Sequence, residues 1–373
     1  MRSLGLYLHI PFCKSKCRYC DFCSFPQKNG AAVEAYLASL SHEIAAYGRK
    51  CGAYTVNTVY FGGGTPTYLS AEQLASLLLT VREHFAVSED AEISTECNPA
   101  TVDAAALATL RRAGFDRLSI GAQSLSDGEL ALLGRAHSAA DFRATFLAAR
   151  EAGFENISVD LMFGIPSQTV DSFRQTLEGL VALGPEHISA YGLKIEEGTP
   201  FWRERETLAL PNEDEERQMY MDAVDFLAAW GYARYEISNF AKMGYESRHN
   251  LRYWEREDYL GMGLVAYSCL GFDRFSNTCD LSSYLSGERV ADRETVSAHD
   301  ALCEAIMLGM RLEKGVNFSA LAKIHGDAAW DYQNHLAKYE KGGFVRKTDH
   351  GFAFTSEGMY VSNAILSEIL DFE

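Results

Sequence analysis

The sequence predicts an α/β protein made of repeated parallel βα units, followed by a smaller C-terminal α+β, winged-helix-like domain. Three observations lead to this prediction. Six short apolar runs alternate with helical stretches, the junctions between helix and strand repeat, and the pattern changes to helices and a hairpin near the C-terminus. Alternating strands and helices at this spacing favour either a parallel βα barrel or a doubly wound sheet.

The six runs are short and rich in β-branched and aromatic residues, as strands are. They cover residues 4–10, 56–61, 91–96, 117–120, 157–162 and 187–191. The segments between them have helical periodicity. In one of them Ser70 and Gln73 form a capping box ahead of apolar residues at helical spacing.

The helix-to-strand junctions resemble one another. RRAGFDRLSI at 111–120 is echoed by REAGFENISV at 150–159 and more loosely by VALGPEHISA at 181–190. Gly114, Gly153 and Gly184 stand where each helix should end in a left-handed cap. The repetition indicates βα units of one kind.

The pattern changes beyond about residue 205. A polar stretch at 208–218 contains a second capping box, Asn212 with Glu215, and leads into a long predicted helix that ends near Gly231. From residue 297 the chain predicts two or three helices and then a hairpin around 349–351. We therefore divide the chain into a barrel domain (1–205), a connecting region (206–296) and a C-terminal domain (297–373).

Composition narrows the function classes. The 373 residues carry a net charge of −17, which gives no electrostatic reason to bind nucleic acid or anionic lipid. The apolar stretch at the N-terminus is too short for a signal peptide, and no run of 18 apolar residues follows. We expect a cytoplasmic protein without a transmembrane segment.

Four of the nine cysteines lie between positions 13 and 23, which indicates metal binding rather than disulfide bonding. Cys13, Cys17 and Cys20 have the spacing C-x3-C-x2-C. Three thiolates on one loop can hold three irons of a cubane cluster and leave the fourth iron open. A zinc site that uses Cys23 as a fourth ligand is the alternative, and the spacing alone does not decide between them.

Several polar residues follow the predicted strands directly. The glycines of FGGGTPT (61–67) allow the backbone to approach a ligand closely, and Glu96 in STECNP can accept hydrogen bonds from an amine or a ribose. Gln123 and Asp160 also stand at strand ends. Parallel βα barrels build their active sites at this edge, so we expect these residues to share one site with the cysteine loop.

The pattern HIPFCxxxCxYCDF, together with FGGGTPT, resembles the radical S-adenosylmethionine (SAM) superfamily and particularly its coproporphyrinogen-dehydrogenase-like branch. The resemblance implies a partial, TIM-like barrel of about six strands and a [4Fe–4S] cluster on Cys13, Cys17 and Cys20. It also implies an electron donor, because one electron from the cluster cleaves SAM reductively. Cys23 becomes a neighbour of the cluster and not a ligand.

The resemblance further implies a set of SAM and cluster contacts. These predicted residues are Tyr7, Tyr19, Gly63, Gly64, Thr65, Glu96, Gln123, Arg135 and Asp160. Some of them have structural alternatives. Arg135 and Asp160 would also make an ion pair, Glu96 a helix cap and Tyr7 a core aromatic.

HNLRYW at 249–254 resembles the HNxxYW motif of the HemW family, radical SAM proteins regarded as heme chaperones, and segments 308–316 and 354–366 also fit that family. The resemblance implies that His249 contacts heme and that a heme-accepting protein is a partner. A neutral imidazole is a suitable axial ligand for heme iron. The alternative is a packed aromatic corner with His249 hydrogen-bonded inside it.

Two departures from the family patterns keep other functions open. Phe22 stands where coproporphyrinogen dehydrogenases have a further cysteine, which weakens that interpretation. Val265 and Tyr267 replace the glycine and histidine of the usual GAHS-type stretch. The alternatives are a radical SAM enzyme, such as a coproporphyrinogen dehydrogenase or a HemW-like methyltransferase, acting on a tetrapyrrole or aromatic substrate, and a zinc-binding regulatory protein.

Overall fold

We describe residues 2–26, 29–99 and 101–372 of a computed structural model. All six predicted runs form strands. The strands are β1 (Arg2–Ile10), β2 (Phe12–Cys13), β3 (Phe25–Pro26), β4 (Tyr54–Gly63), β5 (Val87–Cys97), β6 (Arg117–Gln123), β7 (Asn156–Phe163), β8 (His187–Gly192), β9 (Ala233–Arg234), β10 (Asn239–Ala241), β11 (Tyr259–Met262), β12 (Tyr267–Leu270), β13 (Asp273–Asn277), β14 (Val290–Thr295), β15 (Val316–Asn317), β16 (Val345–Thr348) and β17 (Gly351–Phe354).

Helices connect these strands, and a short 3-10 helix (Pro66–Tyr68) follows β4. The α-helices are α1 (Gly30–Gly48), α2 (Ala71–His84), α3 (Ala104–Ala113), α4 (Asp127–Leu133), α5 (Ala139–Glu151), α6 (Val170–Val181), α7 (Pro200–Glu204), α8 (Glu213–Ala229), α9 (Arg248–Trp254), α10 (Leu281–Ser286), α11 (Ala298–Gly309), α12 (Phe318–His325), α13 (Ala328–Ala337), α14 (Ser356–Tyr360) and α15 (Ser362–Ile369). No helix among the described residues is long and apolar enough to cross a membrane.

One twelve-stranded sheet forms the body of the protein. Its order is β14-β13-β12-β11-β1-β4-β5-β6-β7-β8-β10-β9, and the strands from β11 to β8 in this order are parallel. The predicted partial βα barrel is thus confirmed, with the six expected strands in sequence order. The sheet also includes β11, a seventh parallel strand from the region predicted as a connection.

Residues 206–296 therefore do more than connect two domains. β10 pairs antiparallel with β8 at one side, while β11 pairs with β1 at the other and is followed by the antiparallel strands β12, β13 and β14. Periodicity in the sequence did not indicate this because these strands are only three to six residues long.

Each parallel strand has one apolar face and one polar face. In β1, Leu4, Leu6 and Leu8 are fully buried against the helices. In β4, Val59 and Phe61 pack on the helix side in the same way. Side chains alternate along a strand, so the residues between them point to the barrel interior. The core and the polar interior are therefore built by the same strands.

The local signals in the sequence are confirmed. Both predicted capping boxes form, at Ser70 and at Asn212. Gly114, Gly153 and Gly184 have left-handed backbone conformations, with φ of 103°, 90° and 70°. Each ends a helix ahead of a parallel strand, where a side chain would strain the turn.

The C-terminal part is a small helical domain with a wing. Helices α11, α12 and α13 precede the hairpin β16–β17, and β15 completes a three-stranded sheet in the order β15-β17-β16. Asp349 and His350 form the turn of the hairpin. The predicted winged-helix-like arrangement is confirmed.

Candidate functional site

A cavity of about 580 Å³ opens at the carboxyl ends of the parallel strands. It is lined by the cysteine loop after β1 and by the ends of β4 to β8. All predicted site residues except Tyr7 and His249 lie in its wall. The structure therefore brings together residues that are up to 147 positions apart in the range Cys13 to Asp160, as expected for a parallel βα barrel.

The cysteine loop is held by contacts with its surroundings. The thiol of Cys13 is buried and accepts a hydrogen bond from the Thr65 hydroxyl at 3.4 Å, while Arg135 Nη1 lies 3.6 Å from the Cys17 sulfur. The backbone N–H of Cys20 donates to the Cys17 carbonyl at 3.3 Å. Burial raises the pKa of the Cys20 thiol, and a bound metal would offset that effect.

The separation of the thiols bears on whether the loop holds a cluster or a single zinc ion. A tetrahedral zinc ion, with Zn–S bonds of about 2.3 Å, would hold its sulfur ligands roughly 3.8 Å apart. Among the described residues, no three side chains of the cysteine loop bring all their ligand atoms within 4.8 Å of one another. A cubane spreads its thiolates because each binds a different iron. Cys13, Cys17 and Cys20 share the cavity wall, as three ligands of one [4Fe–4S] cluster would, whereas Cys23 is absent from it.

The glycines at the end of β4 are required by the backbone turn and by the close packing around His9 and Cys13. Gly63 has φ of 118°, a conformation that L side chains rarely adopt. A Cβ on Gly64 would lie 3.0 Å from the Cys13 sulfur and 2.9 Å from the Phe12 carbonyl oxygen. Only glycine fits at position 64, because any side chain there would displace Cys13.

We expect Gly64→Ala to lower the iron and sulfide content of anaerobically reconstituted protein severalfold, because the added methyl group pushes Cys13 from its position. Iron and acid-labile sulfide assays measure this. Gly52→Ala is the matched control, since Gly52 has no positive φ and no atoms within 4 Å of an added Cβ. Full cluster content in Gly64→Ala would mean that the loop tolerates displacement of Cys13.

Two buried carboxyl groups face the same cavity. Glu96, near the end of β5, accepts hydrogen bonds from the Gly63 N–H and the Tyr60 hydroxyl, both at 3.1 Å. Burial, with a smaller contribution from Asp160, raises the pKa of Glu96 to about 8. Burial also raises the pKa of Asp160, which accepts a hydrogen bond from Ser119 at 3.0 Å. Such a wall favours a cationic ligand, because a positive charge would stabilise both carboxylates.

Arg135 connects the cysteine loop with the strand ends. Its Nη2 donates to Asn98 Oδ1 at 2.7 Å and to the Gly121 carbonyl at 2.9 Å. Its Nη1 lies 3.4 Å from the Tyr19 hydroxyl. Nε is buried without a hydrogen-bond partner among the described residues, which is an unsatisfied donor in the wall of the site. The ion pair with Asp160 that the sequence left open does not form among the residues that the structure describes.

Gln123 has φ of 65°, which is uncommon for a residue other than glycine. Its Oε1 accepts a hydrogen bond from the Tyr191 hydroxyl at 2.8 Å. Backbone strain of this kind concentrates at functional sites. Tyr191 and Asn98 line the cavity but were not predicted, although both stand at strand ends, where the other site residues were found.

Tyr7 lies behind the cavity wall. Its ring stacks on Tyr60 with centroids 6.2 Å apart, and its hydroxyl is 3.0 Å from His9 Nδ1. A Cβ on Gly62 would approach the Tyr7 ring at 2.9 Å. Tyr7 therefore packs against the turn that lines the cavity, and its contact with SAM stays a prediction.

His249 is enclosed in an aromatic corner. Its Nδ1 is 2.8 Å from the Thr58 hydroxyl and its Nε2 is 2.8 Å from the Tyr253 hydroxyl. The ring stacks on Tyr60 with centroids 5.2 Å apart, and burial lowers the pKa of His249 to about 3. The imidazole is neutral, and both of its nitrogens are engaged in this arrangement. This geometry corresponds to the packed corner considered as the alternative to an iron ligand.

The segment that departs from the family pattern lies between β11 and β12. Val265 has φ of 51°, a conformation that is strained for a β-branched residue. Tyr267 is 60% exposed on β12. Neither residue lines the cavity.

Comparisons with known proteins agree with this geometry. Residues 7–180 match the radical SAM superfamily, and residues 296–361 match the HemN C-terminal domain. The heme chaperone HemW of Bacillus subtilis is 35% identical over 98% of both chains, and that of Escherichia coli is 36% identical over 98% of both. The structure of coproporphyrinogen III oxidase (HemN) from Escherichia coli is similar, with a TM-score of 0.87 and 26% identity over 99% of this chain and 90% of that one.

Proposed function

This chain belongs to the HemW family of the radical SAM superfamily, and from that membership we propose that it is a heme chaperone. The superfamily implies a [4Fe–4S] cluster and SAM. The chaperone binds heme and passes it to an acceptor protein, while the cluster and SAM support the transfer. The observation that supports these cofactors is that the three thiols of the cysteine loop and the two buried carboxyl groups of Glu96 and Asp160 line one cavity.

We assign the cluster to Cys13, Cys17 and Cys20. When bound, the cluster and SAM supply one-electron chemistry. The Thr65 hydroxyl and the Arg135 guanidinium orient the sulfurs of Cys13 and Cys17 through the contacts described above. Hydrogen bonds to cluster sulfurs and a nearby cation make such a cluster easier to reduce.

We assign the cationic part of SAM to the side of the cavity formed by Glu96 and Asp160. A sulfonium and an ammonium group would be attracted there by carboxylates in a medium of low polarity. The Gly63 N–H and the Tyr60 hydroxyl hold the Glu96 carboxylate in place. The glycines at the end of β4 leave room for a ligand to approach the backbone.

SAM affinity should rise with pH between about 6.5 and 8. The pKa of Glu96 is about 8 without a ligand, so its carboxyl group is mostly protonated at pH 7. A bound cation favours the carboxylate, so binding below that pH releases a proton and becomes stronger as the pH rises. Calorimetric titration in two buffers of different ionisation enthalpy measures the affinity and the protons released.

Glu96→Gln is the control for this pH dependence. The amide keeps the size and one of the two acceptor oxygens but has no titrating group. The α-amino group of SAM titrates in the same range and contributes to both proteins. Equal proton release by wild type and Glu96→Gln would contradict the assignment.

The chaperone function is tested with anaerobically reconstituted full-length protein. We expect hemin to produce a protein-bound Soret band, and we expect the heme to move to an apo-acceptor when SAM and dithionite are present. Absence of heme binding by protein that contains its cluster and binds SAM would refute the proposed function while leaving the radical SAM assignment intact.

A second candidate function follows from the likeness to coproporphyrinogen III oxidase, which is an enzyme. Such an activity would form 5′-deoxyadenosine in proportion to a modified tetrapyrrole. Phe22 argues against this enzymatic activity. It stands where coproporphyrinogen dehydrogenases have a further cysteine, it lines the cavity and is 62% exposed, and it offers no thiol. Substrate-dependent 5′-deoxyadenosine with coproporphyrinogen III would favour the enzyme over the chaperone.

A further inference from the structure

A group of metal-ligating side chains lies in the C-terminal domain, outside the cavity of the cysteine loop. His299 and Cys303 are four residues apart on α11 and therefore share one face of that helix. Asp371 follows α15 and lies against this face. Of the residues that the structure describes, only these three form a set whose histidine, cysteine or carboxylate ligand atoms all lie within 4.8 Å of one another. We call this set the α11 cluster.

The ligand atoms of the α11 cluster have the separations that a single metal ion requires. His299 Nε2 is 3.7 Å from Cys303 Sγ and 3.5 Å from Asp371 Oδ1. A tetrahedral zinc ion has bonds of about 2.3 Å to sulfur and about 2.0–2.1 Å to nitrogen and oxygen, which would place these pairs roughly 3.6 and 3.4 Å apart. One ion could therefore bind the three atoms with little movement of the side chains.

Neighbouring contacts hold these ligands in place. The Tyr332 hydroxyl, on α13, donates to Asp371 Oδ1 and lies 3.2 Å from Cys303 Sγ, so it orients both groups. His299 Nε2 is also 2.7 Å from the carbonyl oxygen of Asp371, which keeps the C-terminal segment beside α11. A metal on Nε2 would take the place of the proton in that contact, because metals bind the unprotonated nitrogen.

The burial of the α11 cluster is graded from one side to the other. Cys303 is fully buried, whereas the side chain of His299 is 32% exposed and that of Asp371 is 77% exposed. Buried thiols usually pack as small apolar groups. The Cys303 sulfur instead has a phenol oxygen and an imidazole nitrogen within 3.7 Å. The thiol thus forms the closed end of the cluster, and an ion can enter from the solvent side at Asp371.

The donor types select the class of metal. A thiolate and an imidazole suit Zn²⁺ and related transition-metal ions, whereas Mg²⁺ and Ca²⁺ prefer sets made of oxygen ligands. Three protein ligands with a fourth position for water, or for the Tyr332 oxygen, complete a tetrahedral zinc site. The two ligands at i and i+4 on one helix are a spacing that zinc sites in helices also use.

We propose that the α11 cluster is a zinc site, in which His299, Cys303 and Asp371 bind one Zn²⁺ ion. This site is separate from the cysteine loop and does not depend on the proposed chaperone function. Because α11 begins the C-terminal domain and Asp371 follows its last helix, the ion would join the two ends of that domain. Its role is to hold the C-terminal segment in place.

The test uses full-length, cluster-loaded protein that is equilibrated anaerobically with Zn²⁺ in a chelator buffer. We expect about one zinc ion per chain in addition to the cluster iron, with one sulfur among its ligands in zinc-edge X-ray absorption. His299→Ala, Cys303→Ala and Asp371→Asn should each weaken zinc binding at least about tenfold, the loss that even an outer partner of a metal ligand can cause. Zinc should also slow amide hydrogen exchange of residues 362–372 severalfold in the wild type.

The matched controls are His42→Ala and Cys279→Ala, which remove an exposed histidine and an exposed cysteine elsewhere. Both should bind zinc like the wild type. Asp371→Asn keeps the size of an exposed side chain, so it tests the site without disturbing the buried Cys303. Iron, sulfide and hemin binding should be equal in all variants, which separates this site from the proposed function.

Three results would overturn the zinc site. Wild-type protein that takes up no zinc beyond its cluster iron would do so, as would zinc surrounded by four sulfurs, which would place the ion in the cysteine loop. Unchanged zinc affinity in both His299→Ala and Asp371→Asn would show that the α11 cluster is only a hydrogen-bonded contact. Failure of hemin binding in the wild type would refute the chaperone function and leave this site intact.

Discussion

Serine in place of Cys13, Cys17 or Cys20 should reduce the iron and sulfide content of reconstituted protein to background and remove the visible absorption of the cluster. Each of the three thiols lies in the wall of the same cavity. A cubane that loses one of only three protein ligands keeps two attachment points, and an alcohol is a poor substitute for a thiolate. Iron and sulfide assays, together with ultraviolet–visible spectra, measure the loss.

Cys23→Ser is the matched control, because Cys23 belongs to the same loop but is absent from the cavity wall. It should keep the cluster. Zinc in the wild-type protein at one ion per chain without iron or sulfide, together with loss of that zinc from Cys23→Ser, would replace the cluster by a four-cysteine zinc site. Retention of a complete cluster in any of the three serine variants would remove that cysteine from the ligand set.

His249→Ala should lower the free energy of unfolding of the barrel by about 3 kcal/mol. The substitution removes a fully enclosed ring from beneath Tyr60 and leaves the hydroxyls of Thr58 and Tyr253 without partners. Both effects destabilise a buried site, through a cavity and through unsatisfied polar groups. Urea denaturation followed by far-ultraviolet circular dichroism measures the difference.

Tyr253→Phe is the graded control, since it removes one of the two hydrogen bonds and keeps the ring. It should cost roughly 1 kcal/mol. The two variants also help to interpret heme binding. If His249→Ala loses both heme and stability, the loss of heme is explained by the disturbed structure. A stable His249→Ala variant that specifically loses hemin would instead support direct contact with the iron.

Much of the fold and the site could be predicted because their signals are local. Capping boxes at Ser70 and Asn212, and glycines such as Gly114 at helix ends, depend on residues only a few positions apart. The site residues toward the carboxyl end of a strand, such as Glu96, were predictable because parallel strands end at one edge of the sheet, whereas Arg135 follows a helix and was implied only by the resemblance to the family. This reasoning also applies to Tyr191 and Asn98, which were missed because a tyrosine and an asparagine at a strand end have many structural roles.

Other features depend on long-range contacts that no local pattern reports. The placement of β11 beside β1 joins segments that are about 250 residues apart, and its four residues show no strong periodicity. The orientation of α9 decides that His249 faces Thr58 and that Trp254 faces the C-terminal domain. A motif in the sequence gives the residue types, whereas the packing of its helix decides which of them a ligand can reach.

The position of β1 also affects how the chain folds. β1 and the cysteine loop are synthesised well before β11, although one edge of β1 pairs with β11, about 250 residues further along the chain. Until that strand is synthesised, β1 presents unpaired backbone groups and an apolar face, a combination that promotes association between nascent chains. Contacts of such sequence separation also slow folding. The cysteine loop is consequently anchored to a complete sheet only after a segment about 250 residues further along the chain has been made.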